Sequence, residues 1–230
     1  MEDTEHRSSE ERDQHDDAVR IVTDQAAFYY YRGLVGQIEI ALPQQSSRVL
    51  LLSSSVRGEG TTEVVVGLGL TLAAAIGRRT AIIDCNTTHP DIHARFGVKE
   101  VGLDEYLRGN LAIEQALVNT TVPNLHIMPL GSRLASLATV SGDDLNRFIA
   151  SLRDRFEYVL IDSPAVGVTP ETTILCDKVD AVVLVVRHGS TRREVVRRAK
   201  EMLERAGGKI LGVVLNKRRF PIPEFLYRRF

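Results

Sequence analysis

Residues 54–63 read Ser-Ser-Val-Arg-Gly-Glu-Gly-Thr-Thr-Glu, a glycine loop of the kind that cradles phosphates. A short apolar run, Arg48 to Ser53, enters it, and a longer one, Val64 to Ile76, leaves it. In that strand–loop–helix setting, backbone N–H groups and a helix N-terminus converge on an anion. The usual signature, G-x-x-x-x-G-K-[ST], requires a lysine where this chain has Thr61. The scaffold for a phosphate is present, while the residue that grips the β- and γ-phosphates is replaced. Arg57, Gly58, Glu59, Gly60, Thr61 and Thr62 are the loop's candidate nucleotide contacts.

Two further apolar runs end in an acid: Ile82-Ile83-Asp84-Cys85-Asn86 and Leu160-Ile161-Asp162-Ser163-Pro164. On a parallel sheet such ends lie along one edge with the glycine loop. Asp84 and Asp162 are then placed to hold Mg²⁺ directly or through water, with the Thr62 hydroxyl as a third ligand. The same two carboxylates are the candidate catalytic groups if the site is active.

The elements that must position these residues follow from the hydrophobic pattern. Asp16 and Asp17 are candidate N-caps for a helix over residues 18–40, with Ala26, Tyr30, Leu34, Ile38 and Ala41 as its apolar face and Pro43 as its stop. Strands are predicted at 48–53, 80–84, 125–129, 158–162, 181–186 and 210–215, mostly as continuous Val/Ile/Leu runs of the kind buried on both faces of a sheet. Helices are predicted at 63–76, 91–96, 103–108, 112–118, 142–155 and 191–206. This alternation predicts an α/β fold with a doubly wound, mainly parallel sheet, and a ligand at the C-terminal strand ends.

The chain has 230 residues, 43% of them hydrophobic and 26% charged, enough for one domain with a substantial core. Its two cysteines imply no disulfide framework, and the acidic start does not resemble a signal peptide, so the sequence reads as cytoplasmic. Residues 1–17 carry eight acids and two arginines, a net of −6 within a whole-chain charge of −1, and are expected to be a disordered tail. The α/β domain, including the N-terminal helix, is then expected over 18–217. Residues 218–230 form a basic and aromatic tail with Phe220, Ile222, Phe225, Leu226, Tyr227 and Phe230, expected to dock on the chain itself, a neighbouring subunit or a membrane protein. A nucleic-acid partner is not expected, because the charge is balanced and no aromatic–basic interleaving is present. Cys85, His89 and His93 are spaced by four, but Pro90 interrupts any shared helix and no fourth ligand is evident, so a metal site is not assigned there. Arg192, Arg193, Arg197, Arg198 and Lys200 read as a solvated helix face.

The ordered set resembles the deviant P-loop ATPases and, among them, the bacterial tyrosine autokinases of exopolysaccharide synthesis. The resemblance runs over about residues 26–220. It rests on Gly58-Glu59-Gly60, Ile82-Ile83-Asp84 with Pro90 beyond, Gly102-Leu103, Leu130-Gly131, Ile161-Asp162-Ser163-Pro164, the strand Val183–Val186, and Val214-Leu215-Asn216. It implies a P-loop NTPase-like fold, ATP or ADP with Mg²⁺ as cofactors, and Asn216 near the adenine. It also implies a membrane polysaccharide co-polymerase as partner, homo-oligomerisation, and a place at the inner face of the inner membrane through that partner, with only peripheral membrane contact.

Against that family this chain departs in several places. Besides Thr61, Glu63 stands where a small hydroxyl or apolar residue is usual, Val56 where related ATPases carry a second lysine, and Asn86 and Thr88 where an Asp and an Arg are expected. The upstream E-x-x-R-x-x-R motif is reduced to Arg32, with Tyr29 and Val35 in its other places. The C-terminal tyrosine cluster is reduced to Tyr227, leaving Tyr29 and Tyr31 as relocated phosphoacceptor candidates, although Tyr30 is expected to pack. A charge-assisted hydrogen bond contributes about 1.5–3 kcal/mol, so losing the lysine weakens nucleotide binding about tenfold to a hundredfold. The expectation is a pseudokinase regulating exopolysaccharide synthesis. The alternatives are an active autokinase in which Arg57 replaces the lysine, and a positioning-type ATPase.

Overall fold

The computed structural model describes residues 25–43, 46–132 and 134–217. The expected acidic tail, the start of the first helix with Asp16 and Asp17, Tyr227 and the rest of the basic tail lie outside the described residues. Seven strands form one sheet in the order β3-β4-β2-β5-β1-β6-β7. They are β1 Arg48–Ser54, β2 Thr80–Asp84, β3 Val118–Asn119, β4 Leu125–Met128, β5 Tyr158–Asp162, β6 Ala181–Arg187 and β7 Ile210–Asn216. Every pairing is parallel except that of β3 with β4. All six expected strands are present, and β2, β5 and most of β1 and β6 are buried throughout, as their unbroken apolar runs require.

Helices cover both faces, so the sheet is doubly wound. α1 (Gln25–Ala41), α2 (Thr61–Leu70) and α3 (Ile92–Arg95) lie over one face. That face's core includes Val35, Ile38, Leu68, Ile82 and Leu160. The opposite face carries α4 (Leu103–Leu107), α5 (Ile113–Ala116), α6 (Gly142–Arg153), α7 (Glu171–Leu175) and α8 (Arg193–Arg205), packed around Leu51, Ile83, Phe148, Leu152 and Ile161. α8 buries only Ala199 and Leu203, so its arginines lie on a solvated face as the sequence implies.

α2 is apolar all round because it is sandwiched between the sheet and α1. Two glycines make the close approach feasible. A Cβ on Gly69 would lie 2.6 Å from Cδ1 of Ile82, and one on Gly67 would lie 2.2 Å from Cζ of Tyr31. α2 runs on into a π-helical turn over Thr71–Ala75, where the Thr71 hydroxyl donates to Gly67 O at 2.8 Å.

The Gly67 slot corrects the reading of α1. Tyr31, Val35 and Ile38 are its buried residues, whereas Tyr30 is 46% and Tyr29 69% exposed. Ile38 and Leu34 pack as the expected stripe has them, but Tyr31 takes the place of Tyr30, because the notch at Gly67 receives the Tyr31 ring. Tyr31 is therefore ill placed as a phosphoacceptor: its hydroxyl donates to Glu63 O at 3.4 Å, and burial raises its pKa. Tyr29 is open to solvent. The sequence pattern also missed β3 and α7, whose two and five residues are too short to show a period.

Candidate nucleotide site

β1 delivers the glycine loop to the C-terminal edge of the sheet, between β5 and β6. Gly58 and Gly60 take φ of +81° and +89°, the left-handed region where side-chain-bearing residues are strained. These two turns reverse the chain tightly enough for α2 to begin at Thr61, with Val64 N–H donating to Gly60 O at 3.1 Å. A Cβ on Gly60 would also strike Nδ2 of Asn216 at 2.3 Å.

The loop is held from beneath by Glu59, which is only 1% exposed. One carboxylate oxygen accepts the N–H groups of Ser55 (2.7 Å) and Val56 (3.0 Å). The other accepts the Arg187 N–H at 2.9 Å and the Thr191 hydroxyl. By sequence Glu59 stands among the loop's candidate nucleotide contacts. Its side chain instead turns inward and ties the loop to the end of β6. Asn216 is also committed to the loop: its amide donates to Glu59 O at 3.0 Å and Gly60 O at 3.3 Å.

β2 and β5 are neighbours in register, with Asp84 opposite Asp162, and both side chains are fully buried. Asp84 accepts three backbone N–H groups, from Asn86 (3.0 Å), Asp91 (3.1 Å) and Ile92 (3.2 Å). Asp162 accepts the Thr62 hydroxyl at 2.6 Å on one oxygen, while its other oxygen is buried without a partner. That orphaned oxygen is costly to leave bare and is the observation that fits a cation here. Thr62 gives its proton to Asp162 and keeps lone pairs for a ligand. With Mg²⁺ bound, Thr62 and Asp162 would hold it and Asp84 would support the charge from behind. Among the described residues no three His, Cys, Asp or Glu side chains cluster for a metal.

The two carboxyls are perturbed by burial first. Desolvation raises Asp84 to about 6, against the opposing pull of its three N–H donors. Desolvation and then the charge of Asp84 raise Asp162 to about 8. Asp84, with more donors, is the one that ionises first. Both groups bind protons more tightly folded than unfolded, where carboxyls titrate near pH 4. Their contribution to stability is therefore present at low pH and lost as pH rises through about 6 to about 8. Thermal melts should fall by a few degrees or more between pH 5.5 and pH 8.5, and Asp162→Asn should remove most of that fall. A wild-type melting temperature that rises over this range would contradict the assignment.

Above these residues lies an open cleft of about 510 Å³. Arg57, Thr61, Glu63, Asn86, Arg95 and Lys217 are among its walls, together with Gly58, Gly60 and Thr62. The structure thus brings the loop residues together above the two buried aspartates, with Asn216 bonded to the loop's carbonyls and outside the cleft lining. Arg95 is paired with Asp91 at 2.6 Å, whereas Arg57 makes no hydrogen bond or ion pair among the described residues. Asn86 accepts from the Thr88 hydroxyl (2.9 Å) and the His89 N–H (3.2 Å), so it caps the turn after β2. The sequence pattern alone does not place Lys217 at the cleft. Its adjacency to Asn216 was the available signal.

No protein-family model matches the chain. Curated relatives do. The tyrosine-protein kinase CpsD of Streptococcus agalactiae is 32% identical over 176 residues, covering 75% of this chain and 76% of that protein. The chain belongs to the bacterial tyrosine-protein kinase family. CpsD of Streptococcus pneumoniae serotype 4 agrees, at 31% identity over 191 residues and 82% of this chain. Among solved structures, the VpsO kinase domain superimposes with a TM-score of 0.75 at 28% identity, covering 89% of this chain and 98% of that one. The Escherichia coli tyrosine kinase ETK domain gives 0.80 at 21% identity and supports the fold alone. The expected P-loop α/β fold and the family resemblance both stand. Among the described residues no helix of this kinase-family chain is long and apolar enough to cross a membrane.

Proposed function

We propose that this chain is a kinase-fold regulator of bacterial exopolysaccharide synthesis that binds nucleotide weakly and does not transfer phosphoryl groups efficiently. The observation that carries this reading is Thr61. At the first position of α2 a short hydroxyl side chain, 8% exposed, stands where the family's phosphate-binding lysine belongs. The remaining parts point the same way. Glu63 faces the cleft with a negative charge, and Asn86 caps a turn where an acid is expected. Phosphoryl transfer depends on positive charge placed at the γ-oxygens, and the loop has lost its main source of it.

The family resemblance supplies the setting: a cytoplasmic chain at the inner face of the membrane, held there by a polysaccharide co-polymerase and acting by conformation and self-association. A second reading is an active autokinase in which Arg57 replaces the lysine, favoured by the place of Arg57 on the cleft wall. Incubation of the purified chain with Mg²⁺–ATP, followed by phosphotyrosine detection and a count of ADP released, separates the two. The regulator should show neither above the background of an Asp162→Asn control. Robust Asp162-dependent turnover would establish the second reading.

A further inference from the structure

β7 is the edge strand farthest from β3, yet its last residues reach back over the glycine loop. Asn216 is the pivot. Its amide is fastened to the carbonyls of Glu59 and Gly60, and its Oδ1 accepts the backbone N–H of Lys217 at 2.8 Å. That bond holds Lys217 at φ +53°, a left-handed conformation that costs a residue with a side chain roughly 1 kcal/mol or more. The result is directional. The Lys217 Cε lies 3.1 Å from where a Cβ on Gly60 would stand, and Nζ donates to Gly58 O at 3.4 Å. The side chain therefore passes Gly60, reaches the Gly58 carbonyl and ends on the cleft wall. Its single contact is long, so the ammonium keeps donors for an incoming anion.

We propose that Lys217 supplies, from the opposite end of the chain, the phosphate-binding ammonium that position 61 has lost, so that the cleft takes the phosphates of a nucleoside di- or triphosphate. The inference rests on the reading of this cleft as a nucleotide site. Three features of the molecule meet in it. The loop is already shaped, by Glu59 beneath and by two glycines in the left-handed region. The buried Asp162 oxygen lacks a partner beside it, as a cation-assisted phosphate site would leave it. Thr61 carries only a short hydroxyl side chain, whereas the Lys217 stem passes beside Gly60. Glu63, within 3.4 Å of the Asn216 amide, sets a negative limit on one side of the site. Lys217 and Arg57 are the cations facing it that no acid neutralises among the described residues.

A lysine in this place binds phosphate without being aligned on the γ-phosphoryl group by the helix that begins at Thr61. Binding and transfer are thereby separated, which fits a chain that senses nucleotide more than it consumes it.

The test is calorimetric titration of the full chain with ADP and, separately, with adenosine, for the wild type, Lys217→Ala, Lys217→Arg and Arg57→Ala. Lys217→Ala should weaken ADP about tenfold or more and leave adenosine unchanged. Lys217→Arg should keep most of the ADP affinity, and Arg57→Ala should cost less than Lys217→Ala. Lys217 is exposed, so its replacement leaves the fold intact. If wild type binds ADP and Lys217→Ala binds it equally well, Lys217 is not the phosphate ligand, and the nucleotide site survives without it. Equal losses for ADP and adenosine would make Lys217 a shaper of the loop and would also overturn the proposal. If the wild type binds neither ligand, the nucleotide reading of the cleft falls first and takes this inference with it.

Discussion

Thr61→Lys should raise the affinity for ADP about tenfold to a hundredfold, because a charge-assisted hydrogen bond to phosphate contributes about 1.5–3 kcal/mol. Thr61 opens α2 and lines the cleft, so a longer side chain there extends into a space of about 510 Å³ without entering the core. The loop that would receive the phosphate is already built, and Thr62 already contacts Asp162. Phosphotyrosine formation should nevertheless stay near background. Glu63 and Asn86 remain, and the substitution restores a grip on phosphate without restoring the second acid. Calorimetry with Mg²⁺–ADP checks the first part and phosphotyrosine detection the second. Unchanged affinity would mean that Glu63 repels the phosphates strongly enough to close the site. Full kinase activity would mean that Thr61 alone had silenced the chain.

Glu59→Ala should cost about 3–5 kcal/mol of unfolding free energy, because it strands several buried donors at once. The Ser55, Val56 and Arg187 N–H groups and the Thr191 hydroxyl all converge on this one carboxylate. Unlike a surface ion pair, the group is 1% exposed, so water cannot enter and replace the lost acceptor cheaply. The same substitution should abolish ADP binding even in the Thr61→Lys background, since the loop would lose the brace that holds its shape. Glu59→Gln preserves the volume but turns one donor toward another, and its cost should fall between those of wild type and Glu59→Ala. Urea unfolding followed by circular dichroism measures all three. A loss below about 1 kcal/mol for Glu59→Ala would show that the loop is held chiefly by its glycines and by Asn216.

Much of the candidate site is legible in the sequence. The glycine spacing, the hydroxyl at Thr62 and the two apolar strands ending in Asp84 and Asp162 each carry a local signal. Parallel strands bring their C-terminal ends to one edge, so local order in the chain was enough to place them together. Asn216 was legible as part of the site but its bonds to the loop carbonyls were not, because strand periodicity does not say which way the last side chain turns. Glu59 lay within the loop motif, and its inward direction follows only from the left-handed turns at Gly58 and Gly60 on either side of it.

By itself the sequence determined the doubly wound α/β class, the six longer strands, the loop and the missing lysine. These follow from hydrophobic period, glycine placement and residue identity, which are properties of neighbouring positions. Only the tertiary structure decided that Tyr31 packs in place of Tyr30, that Glu59 braces the loop, and that Lys217 lies across it. Each of these depends on a contact between distant residues: Tyr31 with the notch at Gly67, Glu59 with Arg187 and Thr191, and Lys217 with Gly58. A period of 3.6 or 2 names the face of an element, but only the partner packed against that face decides which side chain it accepts.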